Sequence, residues 1–304
     1  MRFLLALMLT LSMALTASAA TLAEQSGYDA FKRLVEKSTL DVNCLSKFQL
    51  IFHNPYAHGE LSARDLELPN EKFDFTQGAL DLNVALGGKM ISFDAPFYVV
   101  KDGKKLAIYF SWLDGWKKLA FDDLPLDETN RHSVDEKMAL VNSAVMLNDG
   151  DGQQIVRVAF DTAKIAEIVD NDRDKNPTAD VKKDERSERI GQLMRDAFLK
   201  TGTLNATFSI DKTTSRPLML EMDLTEPLTN VLQAIAGDEE AIKNGASELL
   251  SGPASTSSLK LYAIFDYSGP FDRKKFQLPK DVKKAEDITN DLLAPAKTES
   301  KETR

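Results

Sequence analysis

Apolar and polar residues follow a helical period early in the chain and an alternating period after it. Between residues 23 and 37 the apolar side chains fall on one helical stripe, namely Tyr28, Phe31, Leu34 and Val35. From Phe48 onward apolar and polar residues alternate, and one clean run reaches from Leu80 to Leu86 before two glycines end it. The pattern therefore predicts one amphipathic helix followed by half-buried β-strands.

Residues 90–121 carry the pattern of a β-meander. Asp102 and Gly103 separate two alternating runs, and glycine takes the positive φ angle that a tight hairpin turn needs. After this turn, Leu106, Ile108 and Phe110 share one face of the predicted strand. Strands that follow each other through turns, without intervening helices, indicate an antiparallel sheet.

The second half of the chain mixes helices and strands. Residues 134–147 predict a short helix or a strand, residues 155–160 a strand, and residues 162–170 a short helix. Residues 170–188 are polar and of mixed charge, which predicts an exposed excursion. The clearest amphipathic helix lies at 190–198, where apolar residues recur every three or four positions.

Residues 204–224 predict a second hairpin, with a turn at 212–214. Its second strand begins at Pro217, a position where the missing backbone N–H costs least. Glu221 and Asp223 point to the face opposite the apolar residues, so this hairpin has one dry and one wet face.

The C-terminal part completes the expected sheet. A helix is predicted at 226–236, a looser helical piece at 238–250 and a closing strand at 259–267. Residues 271–279 predict a terminal edge segment that ends at the proline. The last residues, 289–304, have little apolar surface to bury, which predicts a disordered tail.

The first twenty residues predict an export signal. Arg2 supplies a positive charge, residues 3–15 form an apolar run too short to span a bilayer, and Ala17-Ser18-Ala19 fits signal peptidase. Cleavage is therefore expected near Ala19 or Ala20, and an uncleaved membrane anchor is the weaker alternative. No cysteine follows the apolar run, so lipid attachment is not expected. We expect a periplasmic or secreted protein with one folded domain at 21–288.

Composition narrows the classes of partner. The chain has 38 basic and 47 acidic residues, a formal net charge of −9, which disfavours nucleic acid and anionic membrane surfaces as partners held by charge. Its one cysteine, Cys44, excludes an intramolecular disulfide and is expected to be a small buried hydrophobic residue. After residue 20 no apolar stretch is long enough to span a membrane, so an integral membrane protein is not expected.

The sequence carries no recognised catalytic, nucleotide-binding or zinc-binding motif. Its three histidines are too scattered to predict a zinc site. Asp170, Asp172 and Asp174 have the spacing of a calcium loop, but Lys175 and Val181 stand where such a loop needs glycine and glutamate. We therefore expect no enzyme activity, no catalytic residue, no cofactor and no metal site.

The apolar face of the predicted sheet is the strongest candidate site. A sheet of eight or more strands has a large dry face, and only a few amphipathic helices are available to cover it. If the helices cover this face tightly, it forms an ordinary core, which is the interpretation that residue counting favours. If they cover it loosely, a cavity for a hydrophobic molecule remains. The candidate lining residues come from the cleanest stripes: Leu82, Val84, Phe110, Phe208, Leu220, Met222, Leu261 and Phe265.

Two stretches resemble a family of envelope proteins. Residues 208–228, FSIDKTTSRPLMLEMDLTEPL, are similar to the recurring hairpin of the lipoprotein carriers LolA and LppX and their relatives. Residues 261–285, LYAIFDYSGPFDRKKFQLPKDVKKA, resemble their closing strand, and GWKKLAF at 115–121 is a weaker likeness. The resemblance spans residues 23–285. It implies an α+β fold in which a curved antiparallel β-sheet, an incomplete barrel, has helices covering its concave face.

The resemblance also implies a function. It predicts an exported, non-enzymatic envelope protein that binds or carries a lipid or another hydrophobic ligand in a half-barrel cavity. The alternative is an interaction or scaffold protein with a filled core, which would meet another envelope protein through residues 226–236 or 170–188. A hydrolase is a distant third class, because it would need a clustered nucleophile and base.

Overall fold

The chain folds into helices packed on one large β-sheet. The structure is a computed structural model and describes residues 22–38, 42–86, 89–112, 115–121, 133–175, 185–243 and 256–289. The predicted export signal lies outside these ranges, as does the predicted tail apart from Thr289. None of the described helices is long and apolar enough to cross a membrane.

The helices and strands follow the order that the sequence predicts. The helices are α1 (Leu22–Ser38), α2 (Val134–Met138), α3 (Thr162–Lys175), α4 (Glu185–Lys200), α5 (Thr225–Ala236) and α6 (Glu239–Lys243). The strands are β1 (Cys44–Asn54), β2 (Ala57–Leu68), β3 (Phe73–Leu86), β4 (Lys89–Asp102), β5 (Lys105–Trp112), β6 (Gly115–Phe121), β7 (Val141–Asp149), β8 (Gln153–Asp161), β9 (Thr203–Asp211), β10 (Pro217–Asp223), β11 (Ser258–Asp266) and β12 (Glu286–Asp287).

The described strands form one sheet of twelve, in the order β12-β6-β5-β4-β3-β2-β1-β11-β10-β9-β8-β7. Neighbouring strands are antiparallel except β12 and β6, which run parallel. The sheet is curved and does not close on itself, and helices cover its concave face. This arrangement confirms the predicted fold class, a curved antiparallel sheet that forms an incomplete barrel.

The register assigns each strand residue to one of two faces, because directly opposed residues of antiparallel neighbours point the same way. We call the concave, helix-bearing face the inner face; Phe48 lies on it, opposite Ala63 and Ala263. The outer face carries Leu66 opposite Phe75. Each face has its own hydrophobic core, and the larger core is on the inner face.

Helix α1 closes the inner face over β7 and β8. Its predicted stripe is buried except for the half-buried Tyr28, and the Phe31 ring lies 5.1 Å from the Phe208 ring and 5.9 Å from the Phe160 ring, centre to centre. Gly27 lets the helix backbone touch the strand, because a Cβ there would stand 2.6 Å from the Met146 backbone nitrogen. The backbone of α1 therefore packs directly against the backbone of β7 at this glycine.

Two predicted segments differ in detail from the structure. Residues 134–147, predicted as a helix or a strand, contain both α2 and most of β7, and a capping box between Ser133 and Glu136 begins the helix. The predicted excursion at 170–188 begins and ends in helix, since α3 continues to Lys175 and α4 starts at Glu185. The calcium-loop spacing therefore falls inside a helix, where Asp170 accepts hydrogen bonds from Arg195.

The hairpin of β9 and β10 follows the prediction closely. Its turn is held by Asp211, whose carboxylate accepts hydrogen bonds from the backbone N–H groups of Thr213 and Thr214. These bonds lower the pKa of Asp211. Pro217 begins β10, and a bulge follows it before the regular pairing resumes at Met219. Glu221 and Asp223 are exposed, as the wet face requires.

The prediction of a terminal edge segment at 271–279 is wrong. Residues 267–289, which we call the C-terminal strap, cross the outer face and end in the short strand β12. The strap contains two 3-10 turns, Arg273–Lys275 and Val282–Lys284. Its side chains therefore do not alternate as they would in a strand. Its apolar side chains pack on the outer core, namely Phe271, Phe276, Leu278 and Val282.

Candidate functional site

A continuous apolar surface lies on the inner face of β3, β4 and β5. The register places Leu82 opposite Phe93, and Phe97 between Gly78 on one side and Phe110 on the other. These residues therefore point the same way, across three neighbouring strands. We call this surface the apolar floor and define it by six residues: Leu80, Leu82, Val84, Phe93, Phe97 and Phe110.

The apolar floor is only partly covered. Leu80 and Phe93 are 36% and 37% exposed, and the other four residues are half-buried. The described helices lie elsewhere, since α1 and α3 pack against β8, α1 against β7, and α5 against β11. The inner face therefore has a closed half under the helices and an open half on the floor.

Phe97 lies flat on the floor because its neighbour across the strand has no side chain. A Cβ at Gly78 would overlap the Phe97 ring and stand 2.5 Å from the Ser62 carbonyl oxygen. Glycine leaves that space to the ring, which covers the bare backbone of β3. The Phe97 ring therefore takes the place that a side chain at residue 78 would have on the floor.

The eight residues predicted to line a ligand site all lie on the inner face. Leu82, Val84 and Phe110 are on the apolar floor. The other five are buried in the core beneath the helices: Phe208, Leu220, Met222, Leu261 and Phe265. The structure therefore places the eight in two groups, one closed and one accessible, and ligand binding by either group stays a prediction.

Three floor residues were absent from the predicted set. Leu80 belongs to the same alternating run as Leu82, so its face was readable from the sequence. Phe93 and Phe97 also alternate with their neighbours along β4. Their register against β3 decides that they join Leu82, and a sequence without a pairing partner does not show that register.

Polar side chains border the floor at the end of the strands nearest the β4–β5 turn. Ser46 and Asp65 are buried opposite each other on the inner face, and the Thr76 hydroxyl donates to Asp65 at 2.5 Å. Lys101 and Asp74 form an ion pair at 3.4 Å in the adjacent row. The inner face of β1 to β4 is therefore apolar along most of its length and polar at one end.

Cys44 lies in the same polar row and is buried. Burial raises the pKa of its thiol to about 12, and the nearby Glu67 carboxylate adds to the effect. A thiol with such a pKa stays protonated at neutral pH and is a poor nucleophile. Cys44 is therefore the small buried hydrophobic residue that the sequence predicts.

The described residues contain no group of three or more His, Cys, Asp or Glu side chains that could hold a metal ion. His53 and His58 are opposed across β1 and β2, with ring centres 5.9 Å apart, but they are only a pair. His132 lies outside the described residues. The chemistry that the floor offers is contact with apolar groups.

The C-terminal strap covers the outer face at the end of the strands nearest the β4–β5 turn. Arg273 stacks on the Phe73 ring at 3.9 Å and binds Asp102 at 2.6 Å. At the far end of the strap, the Asp287 carboxylate accepts hydrogen bonds from Thr289 and Lys118. These bonds lower the pKa of Asp287 to about 2. Leu66, Leu68, Phe73 and Phe75 are buried as a result. The outer face is therefore closed at that end, whereas behind the floor it carries exposed polar residues such as Asp81 and Asp94.

Two solved structures are similar in fold to this chain. The lipoprotein LppX of Mycobacterium tuberculosis matches at 10% identity and a TM-score of 0.34, over 82% of this chain and 98% of that one. A domain named as an outer membrane lipoprotein-sorting protein, from Vibrio parahaemolyticus, matches at 10% identity and a TM-score of 0.22, over 83% and 97%. No family and no curated protein matches the chain.

These are the two kinds of protein that the sequence stretches at 208–228 and 261–285 resemble. With such low TM-scores the likeness carries no argument about function. The strand order and register of the chain itself define the fold, and the apolar floor is the feature that bears on function.

Proposed function

We propose that this protein is an exported, non-enzymatic protein of the cell envelope that binds a lipid or another hydrophobic molecule on its apolar floor. The observation that carries the proposal is the contrast between the two faces of β2 to β4. The outer face buries its apolar side chains under the strap and carries exposed polar ones such as Asp81 and Asp94 behind the floor, whereas the inner face leaves large apolar side chains half-exposed. A contiguous, exposed apolar surface of this kind marks a binding site.

Burial of methylene groups is sufficient to drive such binding. Each buried CH₂ contributes about 0.8 kcal/mol, so a chain of about 16 methylenes contributes about 13 kcal/mol when fully covered. Association costs at least about 4 kcal/mol in lost freedom, which leaves at most about 9 kcal/mol, a submicromolar dissociation constant at best. No polar motif is needed, and the floor would select for apolar length rather than for one head group.

The first experiment is native mass spectrometry of the protein purified from its own periplasm, followed by organic extraction and lipid analysis. A stoichiometric apolar passenger would support the proposal and name the ligand class. A mass equal to that of the polypeptide, unchanged after lipids are added, would overturn it.

Substitutions on the floor locate the site. Leu82→Gln and Phe110→Gln place an amide among the apolar residues, and each should weaken binding of a pyrene-labelled fatty acid by about tenfold or more. Ile264→Gln is the matched control, because Ile264 is exposed on the outer face of β11. Equal binding by the floor variants and the control would contradict the placement of the ligand.

A scaffold function is the second candidate, and one observation favours it. Val169 on α3 and Ile190 and Met194 on α4 are exposed apolar residues on the helical layer. Helix α5, the predicted contact, packs against α4 and is partly buried, so an interaction surface would lie on α4 instead. A ligand-free protein that co-purifies with one envelope protein, and loses it on Met194→Ser, would favour this function.

A further inference from the structure

Three hairpins turn at the same end of the sheet. In the antiparallel run from β1 to β6, the turns β1–β2, β3–β4 and β5–β6 lie at one end, and the turns β2–β3 and β4–β5 lie at the other. The three turns that share an end belong to neighbouring hairpins of the open half. The first two hairpins end level with each other, since Ala57 and Ile91 both flank Val84, whereas β5 ends at Trp112, four residues (about 13 Å) short of the level of Ile91.

Each tip displays a large apolar or aromatic side chain. Tyr56 is 57% exposed on the first tip, Met90 and Ile91 are 67% and 53% exposed on the second, and Trp112 is 56% exposed on the third. We call these four residues the tip patch. The turns at the other end have a different character, since Asn70, Glu71 and Lys72 form one and Gly103 and Lys104 the other.

Two residues of the tip patch adjoin the apolar floor, whereas Met90, opposite Ala85, points to the outer face. Ile91 is directly opposite Val84, a floor residue. Trp112 lies two residues beyond Phe110 on β5, so it shares the inner face. A molecule that leaves the floor toward the tips therefore stays in contact with apolar side chains.

We propose that the tip patch docks on the surface of a lipid bilayer. Tryptophan and tyrosine prefer the interface between head groups and acyl chains, because each ring has an apolar body and a polar end. Methionine and isoleucine are suited to the acyl region just below. A fluid bilayer surface can take up apolar residues that lie at different heights on the hairpins, without the matched pockets that a protein partner would have to supply.

This inference deepens the proposed function by naming the place where the ligand is collected or delivered. A hydrophobic molecule that crosses water exposes its methylene groups at a cost in free energy, and a direct path from bilayer to floor avoids that cost. The docking is inferred from the tip patch alone and does not require a bound ligand.

The charge of the protein decides how the docking should depend on lipid and salt. A formal net charge of −9 gives no general attraction to anionic lipids, so apolar insertion has to supply the affinity. Binding should therefore be at least as strong on zwitterionic phosphatidylcholine vesicles as on phosphatidylglycerol-containing ones. It should also persist at high salt, which screens charges and leaves apolar contacts in place.

Vesicle flotation with the exported protein tests the docking. The wild type should float with phosphatidylcholine vesicles, and the combined variant Tyr56→Ser, Ile91→Ser, Trp112→Ser should lose about tenfold or more in partitioning. A matched control replaces three exposed apolar residues away from the tips, Leu147→Ser, Met219→Ser and Ile264→Ser. The control should float like the wild type, because the loss has to be specific to the tips.

Tryptophan fluorescence gives an independent signal. The protein has two tryptophans, and Trp116 packs beside Tyr98 in the outer core with ring centres 5.6 Å apart. Brominated phosphatidylcholine should therefore quench Trp112 in the wild type and leave Trp112→Phe almost unquenched. Equal quenching of the two proteins would overturn the proposal.

The two proposals can fail separately. A wild type that binds the soluble pyrene-labelled fatty acid but does not float with either vesicle overturns membrane docking and leaves ligand binding in place. It would point to a protein partner for the tip patch. A wild type that floats but binds no probe, with flotation lost in the tip variant, upholds the docking and overturns the proposed ligand.

Discussion

At the residue scale, the pair of Gly78 and Phe97 sets the shape of the floor. The ring occupies the space that a side chain at Gly78 would need, so each residue fixes what the other can be. Alternation along β4 was sufficient to predict a face for Phe97. The position of its ring depends on a glycine in the neighbouring strand, and the register of β3 against β4 decides which residue lies there.

Gly78→Ala should destabilise the protein by about 1–3 kcal/mol, because the new methyl group forces the Phe97 ring and the Ser62 carbonyl group apart. The free energy of unfolding from urea titration measures the effect. Gly191→Ala is the control: Gly191 is in α4 with no atom within 4 Å of an added Cβ, so this change should stabilise by up to about 1 kcal/mol. A Gly78→Ala variant as stable as the wild type would contradict the described contact.

At the scale of single elements, the sequence predicted strands better than the strap. Runs such as Leu80 to Leu86 indicate a strand because large apolar residues occupy every second position. The strap buries Phe271, Phe276 and Val282 at irregular intervals, since 3-10 turns separate them. A segment without a period gives no signal of which surface it will cover.

Helix α1 also shows what the sequence alone does not predict. Its apolar stripe was predictable, but the strands that it covers were not. Gly27 sets that contact through a backbone approach to β7, which no local pattern encodes. The division of the eight candidate residues into a closed and an open group follows from this packing. The sequence could therefore predict which residues share a face, but not which of them a ligand can reach.

The end of the strap should respond to acid. Hydrogen bonds from Thr289 and Lys118 lower the pKa of Asp287 from 3.8 to about 2, so the carboxylate stabilises the folded protein while it is charged. That contribution is complete above about pH 4 and is lost as the pH falls through about 2. Asp287→Asn should unfold at lower urea concentration than the wild type at pH 7, and the difference should shrink between pH 4 and pH 2.

Hydrogen exchange at residues 286–289 gives the local measurement for that prediction. These amides should exchange faster in Asp287→Asn at neutral pH, because the variant lacks the carboxylate that holds β12 beside β6. Asp272→Asn is a useful comparison, since Asp272 begins the 3-10 turn at the other end of the strap. A variant at Asp287 whose exchange matches the wild type would contradict this account.

At the scale of the whole molecule, the sheet combines a rigid half and an accessible half. The inner face of β7 to β11 is filled by helix side chains, whereas the floor on β3 to β5 is not. A ligand on the floor would complete the second half in the way that α1 completes the first. Its effect should therefore appear as added stability of the entire fold.

A fatty acid at about 100 times its dissociation constant should stabilise the protein by about 2.7 kcal/mol. For a domain of this size, that corresponds to a rise of about 5 °C or more in Tm, measured by differential scanning calorimetry. The rise should be largely absent from Phe110→Gln and retained by Ile264→Gln. An equal shift in both variants would place the ligand away from the floor.

The pairing of β1 with β11 has a consequence for how the protein folds. Leu45 lies beside Asp266, so the centre of the sheet joins segments from opposite ends of the domain. Contacts between residues so far apart in sequence slow folding, because a long loop must close before they form. The meander from β1 to β6 is synthesised first and presents its floor and strand edge before β11 exists. We expect that early meander to be the form of this protein that most needs a chaperone.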